Sequence, residues 1–267
     1  MFLFKTTVII LFLFLVSSIC YAENFPYREH YPDVPIIELI DVRNGYEKGE
    51  VLLVDARTTM EFDTIHPQGA IHVDFSNQQF LSDLLLLRKN NPGKKIVVYD
   101  NGITCLKCYI AVQDAMDEEI ENIYAFDGGV QAWAEAYPAD TLLMGKQIKD
   151  GDKELIPYEE FLKISLDFDT FKQKIADSPN AKLIDARDPM QRTKKISDFK
   201  NALPIPLDKL IRNVINRGNM KNDQLFIFDQ VGRQVRWLMY YLEQQGYKNY
   251  YFLNGGATSV LKEQQYR

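Results

Sequence analysis

Two thiols stand close together near the middle of the chain, in the stretch 94–115. Cys105 and Cys108 follow Asp100, which itself follows an apolar run typical of a buried strand. The pattern predicts a strand, a tight loop and a helix that begins near the cysteines. Because the N-terminus of a helix stabilises a thiolate, a cysteine in the first turn is expected to have a lowered pKa and to act as a nucleophile.

The two cysteines differ in what the helical pattern predicts for them. Cys105 is the stronger candidate for a catalytic nucleophile, and Lys107 adds positive charge beside it. Cys108 shares a helical stripe with Ala111 and Ala115, which is the spacing of a buried face. Two interpretations of Cys108 stay open: a small core residue, or a second catalytic thiol that resolves an intermediate formed on Cys105.

Other uses of these residue types are disfavoured. Haem attachment requires a histidine after the second cysteine, and Tyr109 stands there. Zinc is disfavoured because no second cysteine pair exists and the three histidines, His30, His66 and His72, form no ligand pattern. We therefore expect neither a metal nor a cofactor.

The N-terminus has the pattern of a secretory signal. Lys5 precedes the apolar run 8–16, and "CYA" precedes a predicted cleavage after Ala22, so residues 1–22 are expected to be removed. A retained membrane anchor and a lipoprotein modified at Cys20 are weaker alternatives, since the run is short and Ile19 is not small. We expect a protein exported to the periplasm, without a stable membrane anchor, whose mature chain retains Cys105 and Cys108.

Length and charge exclude some classes of partner. The 267 residues suffice for two modest domains, and a net charge of −6 gives no electrostatic reason to expect nucleic acid.

The chain contains an internal repeat. "VLLVDAR", which ends at Arg57, recurs as "AKLIDAR", which ends at Arg187; "IVVYDNG" recurs as "LFIFDQV", and "IYAFDGGVQAW" as "YYFLNGGATSV". Asp55 and Asp100 are 45 residues apart, and Asp185 and Asp229 are 44 apart. Three landmarks in one order at matching spacing indicate a duplication.

Each half alternates short apolar strands with helical patterns, which predicts an α/β fold with a parallel sheet flanked by helices. The strands are predicted near 51–54, 71–73, 96–99 and 123–126, and near 183, 225–228 and 250–253. The helices are predicted at 79–88, 106–119, 130–136 and 233–245. A polar segment with prolines and glycines predicts a linker, so we place domains at 23–140 and 161–267 and the linker at 141–160.

These elements resemble a tandem rhodanese, a family of sulfurtransferases. The resemblance covers nearly all of the mature chain through "LLVDARTTMEF", "IVVYDNGITCLKCYIA" and "YAFDGGVQAW" and their weaker copies in the second half. It implies a nucleophilic cysteine directly after the central strand, where this chain has Asp100 and Asp229. The second half contains no cysteine, so it is not expected to carry sulfur. Phosphatases of this fold also need that cysteine, and are excluded.

Ligands of open α/β sheets bind at the carboxyl ends of strands, so both loops are candidate sites. A loop whose backbone N–H groups turn inward forms an anion cradle. Asp229 is expected to fill such a cradle permanently, although both aspartates are also compatible with simple Asx-type turns. In the first loop the candidates are Asp100, Asn101, Gly102, Ile103, Thr104 and Lys107. In the second they are Asp229, Gly232, Arg233 and Arg236.

Three functions follow as hypotheses. In the first, Cys105 takes a sulfane sulfur from thiosulfate or a persulfide and passes it to an acceptor thiol, with the second domain as scaffold. In the second, the chain is a catalytically silent binding module with a structural Cys105–Cys108 disulfide. In the third, the cysteine pair exchanges disulfides with other exported proteins. The expected partners are a small sulfur compound or a thiol-bearing protein.

Overall fold

The computed structural model describes residues 25–104 and 106–265. The predicted signal peptide, residues 1–22, and Cys105 lie outside the described residues.

The first half of the chain forms a four-stranded parallel sheet. The strands of this half are β1 (Val51–Asp55), β2 (Ile65–Pro67), β3 (Ile71–His72), β4 (Lys95–Tyr99) and β5 (Ile123–Phe126). The order of the strands in this sheet is β3-β1-β4-β5. The helices are α1 (Leu39–Glu47), α2 (Thr59–Thr64), α3 (Phe80–Asn90), α4 (Lys107–Asp117) and α5 (Gly129–Ala136). The central strand β4 is fully buried from Ile96 to Tyr99, because helices cover both faces of the sheet.

The segment 141–160 carries structure of its own. It contains β6 (Thr141–Leu143), β7 (Lys146–Gln147) and α6 (Gly151–Glu154), and α7 (Tyr158–Ile164) begins within it. Strand β6 pairs antiparallel with both β2 and β7, so this segment extends a small three-stranded sheet on the first domain.

The second half forms a five-stranded parallel sheet. Its strands are β8 (Ser165–Leu166), β9 (Ala181–Asp185), β10 (Leu203–Pro204), β11 (Gln224–Phe228) and β12 (Tyr250–Leu253). The order of the strands in this sheet is β10-β9-β11-β12-β8. Its helices are α8 (Phe168–Ala176), α9 (Leu207–Asn213), α10 (Gln234–Gln244) and α11 (Gly256–Gln265). The predicted α/β fold with two parallel sheets is confirmed.

The two sheets share their register at the site-bearing end. Asp55 at the end of β1 lies opposite Tyr99, and Asp185 at the end of β9 lies opposite Phe228. Asp100 and Asp229 therefore leave equivalent strands at equivalent points, which is what the repeat predicts.

Helix α10 has two apolar faces, and it joins the two halves. Val235, Leu238 and Leu242 pack into the core of the second domain. Trp237 and Tyr240, on the other side of the helix, pack into a core cluster of the first domain. Since a helix that is apolar on two sides is buried on both, α10 lies between the domains. Within the described part of the chain, no helix is long and apolar enough to cross a membrane.

Candidate functional site

The loop after β11 is closed around the carboxylate of Asp229. Its Oδ1 accepts backbone N–H groups from Val231, at 3.0 Å, and from Gly232. Its Oδ2 accepts N–H groups from Gln234, at 2.6 Å, and Val235, at 3.2 Å. The carboxylate thus occupies the anion cradle formed by the loop and the first turn of α10. Burial raises the pKa of Asp229, against the lowering effect of these N–H groups.

The loop after β4 is also held by an aspartate carboxylate, that of Asp100. This side chain is 1% exposed, and its Oδ1 accepts the backbone N–H of Gly102 at 3.1 Å, which is the Asx-type turn expected for "DNG". The backbone path therefore places residues 101–104 at the carboxyl edge of the first sheet.

A glycine pair supports each loop from the following strand–helix turn. The N–H of Val130 donates to the carbonyl of Asp100, and the N–H of Ala257 donates to the carbonyl of Asp229, both at 2.9 Å. A Cβ on Gly129 would lie 2.4 Å from the backbone nitrogen of Gly102, so this close approach excludes any side chain. The repeated "GG" is therefore explained by backbone packing under the loops.

A buried ion pair anchors the first loop to its domain. Arg57 and Asp55 are fully buried and bind each other through two hydrogen bonds, at 2.6 and 2.9 Å, and Arg57 also donates to Oδ1 of Asn101 in the loop at 3.4 Å. Asn101 is held between the domains: its Oδ1 accepts the indole N–H of Trp237 at 2.7 Å, and its Nδ2 donates to Glu61 at 2.7 Å. The loop geometry of the first domain thus depends on a side chain of the second.

Glu61 is a buried carboxylate beneath the first loop. It caps the first turn of α2, where its Oε2 accepts the N–H and hydroxyl of Thr58 at 3.1 and 2.7 Å. Burial opposes its ionisation, but the positive charges of Lys107 and Arg57 and the hydrogen bonds from Asn101 and Thr58 hold its pKa below the ordinary value.

Replacing Glu61 by glutamine is expected to lower the free energy of unfolding by about 1–3 kcal/mol at pH 7, because an amide has a single acceptor oxygen: when that oxygen accepts the bonds from Thr58, the amide NH2 group faces the Nδ2 donor of Asn101. The folded-state pKa is lowered, so the contribution of the carboxylate is present above its unfolded pKa of about 4.3 and is lost as the pH falls through the folded value. The difference from wild type in urea denaturation should therefore shrink in acid.

Glu118→Gln, on an exposed side chain, is the matched control and should change little at either pH. A Glu61→Gln difference that stays constant or grows as the pH falls would contradict the assigned direction of the pKa.

A cleft of about 270 Å³ opens between the two loops. It is lined mainly by residues 101–104, Gln131, Glu135, Tyr158, Phe161, Gly232, Arg233, Arg236 and Trp237. Arg233 donates a hydrogen bond to the carbonyl of Thr104, across the domain boundary. Arg236 donates to Gln131 at 2.6 Å and lies over the ring of Tyr158 at 4.8 Å.

The cleft is cationic. The charged side chains that line the cleft are Arg233, Arg236 and Glu135. Neither guanidinium forms an ion pair with a carboxylate in the described ranges. Burial lowers the pKa of Arg236, since few water molecules reach its charge. A partly buried guanidinium without a carboxylate partner favours an incoming anion.

The predicted site residues fall into three groups. Residues 101–104, Gly232, Arg233 and Arg236 line the cleft, whereas Asp100 and Asp229 are buried below it. Cys108 is fully buried in the core of the first domain, on the predicted stripe with Ala111 and Ala115. Cys105 is outside the described residues. Its neighbour Thr104 lines the cleft, and Lys107 begins α4.

Sequence reasoning missed the residues that close the cleft from other elements. Gln131 and Glu135 are one turn apart on α5, and Trp237 follows Arg233 by one turn on α10, so helical spacing could have placed each on a loop-facing side. Tyr158 and Phe161 of α7 carried no such signal. Among the described residues, no group of three or more His, Cys, Asp or Glu side chains is placed to hold a metal ion.

Comparison with known proteins gives two kinds of match. The model of the Rhodanese-like domain matches residues 38–136 and 167–263. Among solved structures, a thiosulfate sulfurtransferase from Pseudomonas aeruginosa has 19% identity and a TM-score of 0.35, with 87% of this chain and 45% of that chain covered. A human single-domain sulfurtransferase has 18% identity and a TM-score of 0.32, with 38% and 96% covered. The BH2092 protein from Bacillus halodurans has 14% identity and a TM-score of 0.36, with 50% and 93% covered.

Proposed function

This chain belongs to the rhodanese-like family, whose domain it carries twice, and from that premise we propose that it transfers sulfane sulfur. The donor is thiosulfate or a persulfide, the acceptor is a thiol, and the nucleophile is Cys105. The observation that carries the proposal is the cationic cleft, in which Arg233 and Arg236 of the second domain face residues 101–104, the loop that leads into Cys105.

The transfer divides into two displacements at sulfur. The Cys105 thiolate attacks the outer sulfur of thiosulfate; a new S–S bond forms, the original S–S bond breaks, and sulfite leaves with the electron pair. An acceptor thiolate then attacks the terminal sulfur of the Cys105 persulfide and releases the Cys105 thiolate. Both donor and leaving group are anions, so the guanidiniums of the cleft would stabilise them, and the N–H groups of residues 101–104 would stabilise the negative sulfur.

The second domain acts as a scaffold that supplies charge. It contains no cysteine, and the carboxylate of Asp229 already accepts the N–H groups of its cradle. The same carboxylate orders the first turn of α10, from which Arg236 and Trp237 reach the first domain. We infer that the loop of the second domain positions α10 and takes no part in the chemical step.

Cys108 could act as a resolving thiol that removes the persulfide from Cys105. Its attack on the Cys105 sulfur would release hydrosulfide and leave a disulfide, which an external thiol must then reduce. Because Cys108 is fully buried, this step requires the start of α4 to open.

A second candidate function is a catalytically silent binding module. It is favoured by Asp229, whose carboxylate fills one cradle, and by Asp100 at the equivalent point of the other loop. In that case the cleft binds an anion without turnover. The third hypothesis, disulfide exchange with exported proteins, requires a mixed disulfide that can be trapped in Cys108→Ala. The export itself, to the periplasm, is supported by the pattern of residues 1–22.

The test is release of sulfite from thiosulfate by the mature chain, with a small thiol as acceptor. We expect turnover in wild type and a reduction of about tenfold to 100-fold in kcat/KM for Arg236→Gln, since a hydrogen bond to a charged group contributes about 1.5–3 kcal/mol.

Arg212→Gln is the matched control, because Arg212 is an exposed arginine of the second domain whose partner is Asp208. Its turnover should equal that of wild type, and thermal melts should show that both variants fold. Absence of sulfite release by wild type, with thiosulfate still bound in the cleft, would favour the silent module.

A further inference from the structure

The second domain contains a separate cavity, which Asp185 and Arg187 help to line. Its volume is about 590 Å³, and its lining includes Arg187, Arg192, Lys195, Lys200 and Phe199. The lining shares no residue with the interdomain cleft. It therefore requires an explanation of its own.

Two guanidiniums share one carboxylate at the base of this cavity. Arg187 donates a hydrogen bond to each carboxylate oxygen of Asp185, at 2.9 and 2.8 Å. Arg192, whose side chain is 18% exposed, lies 3.7 Å from the same carboxylate, and its Nη2 donates to the carbonyls of Asp185, at 3.2 Å, and of Arg187. Its Nε makes no hydrogen bond within the described chain. One negative charge thus stands against two largely buried positive charges. A buried charge is costly unless it is compensated, so this arrangement favours an additional anion.

Two lysines at the rim of this cavity, Lys195 and Lys200, add positive charge. Lys195 and Lys200 are exposed, and neither forms an ion pair with a described carboxylate. The nearby Asp198 is engaged by Lys172 at 2.6 Å. The positive charge of the rim is therefore available to a ligand.

The first domain provides an internal comparison. It has the same buried pair, Asp55–Arg57, and an equivalent capping box at the next turn. At the residue after that box, where the second domain has Arg192, the first domain has Phe62, which stacks on His66. Since the first domain forms the same fold with Phe62 at this position, the fold does not require Arg192, and a ligand is the simpler reason for its presence.

The remaining wall of the cavity is apolar. Ile196, Phe199 and Phe228 line it and are almost fully buried. A cavity of this composition suits a ligand with an anionic group at one end and an apolar or aromatic body at the other.

We propose that this cavity is a binding site for an organic oxyanion, a small molecule that carries a phosphate, sulfonate or carboxylate group on an apolar body. The oxyanion binds Arg192 and the rim lysines, and the body lies against Phe199. The proposal is independent of sulfur transfer in the interdomain cleft.

The test is calorimetric titration of the mature chain with phenyl phosphate, beside inorganic phosphate and phenol. We expect saturable binding of one phenyl phosphate per chain, weaker binding of inorganic phosphate and none of phenol. Arg192→Gln and the double variant Lys195→Gln/Lys200→Gln are each expected to weaken binding by about tenfold or more. Arg212→Gln, an exposed change outside both cavities, should bind as wild type does.

The double variant changes only exposed side chains, so it keeps the test decisive if Arg192→Gln unfolds. The proposal is overturned if phenyl phosphate shows no saturable binding up to about 10 mM. It is equally overturned if Arg236→Gln loses binding while the double variant keeps it, or if inorganic phosphate binds as tightly as phenyl phosphate.

Discussion

Replacing Cys105 by alanine is expected to reduce sulfite release from thiosulfate by about 10³-fold or more, to the level of the uncatalysed reaction. Both displacements at sulfur pass through the Cys105 thiolate, so its removal deletes the bond-forming atom and not only a contact. The helix α4 begins at Lys107, so Cys105 stands two residues before it and not in its first turn as predicted; the helix N-terminus and the charge of Lys107 are still expected to favour the thiolate. Steady-state release of sulfite at saturating thiosulfate measures the effect.

Cys108→Ala is the matched control for this experiment. Cys108 is fully buried in the core of the first domain, so its replacement should cost some stability but leave transfer to a small thiol in place. Loss of turnover in Cys108→Ala with full turnover in Cys105→Ala would contradict the assignment of the nucleophile.

Replacing Asp229 by asparagine is expected to lower the free energy of unfolding by about 2–4 kcal/mol. One oxygen of the carboxylate accepts Val231 and Gly232, and the other accepts Gln234 and Val235. An asparagine retains a single acceptor and turns an amide donor toward two backbone N–H groups, which leaves buried donors unsatisfied. Urea denaturation at pH 7 measures the change.

The substitution Asp152→Asn serves as the control, because Asp152 is an exposed aspartate with no hydrogen bond or ion pair among the described residues. It is expected to change stability by less than about 0.5 kcal/mol. Equal stability of Asp229→Asn and wild type would mean that the carboxylate does not order the second loop.

The repeat made most of the fold predictable. Strands predicted at 96–99 and 225–228 are observed at Lys95–Tyr99 and Gln224–Phe228, because a continuous apolar run of four or five residues suits a strand covered on both faces. The helix predicted at 233–245 is observed at Gln234–Gln244. Periodicity reports which side of an element is buried, and both domains bury their elements against their own sheets.

The contact between the two domains could not be predicted from hydrophobic periodicity. Trp237 and Tyr240 mark a second apolar face of α10, but periodicity does not say which surface covers it. The cleft depends on that contact, since it alone brings Arg236 to Gln131 and Trp237 to Asn101. The loop residues were therefore found from sequence, whereas their partners across the cleft required the structure.

The cavity of the second domain was missed for a different reason. Arg187 was recognised as a landmark of the repeat, and Arg192 lies only five residues later in a polar stretch that resembles a solvated loop. Its significance comes from burial beside Asp185, which already binds Arg187, and burial is a property of tertiary packing.

The intact mass of the chain without residues 1–22, measured after reduction, treatment with thiosulfate and removal of the excess donor, is the most direct test of sulfur transfer by Cys105. We expect a gain of one sulfur atom in wild type and in Cys108→Ala, located on Cys105 by peptide mapping and removed by an acceptor thiol. Cys105→Ala should show no gain. A chain that gains no sulfur in any form would contradict sulfur transfer and leave the cleft as a binding site.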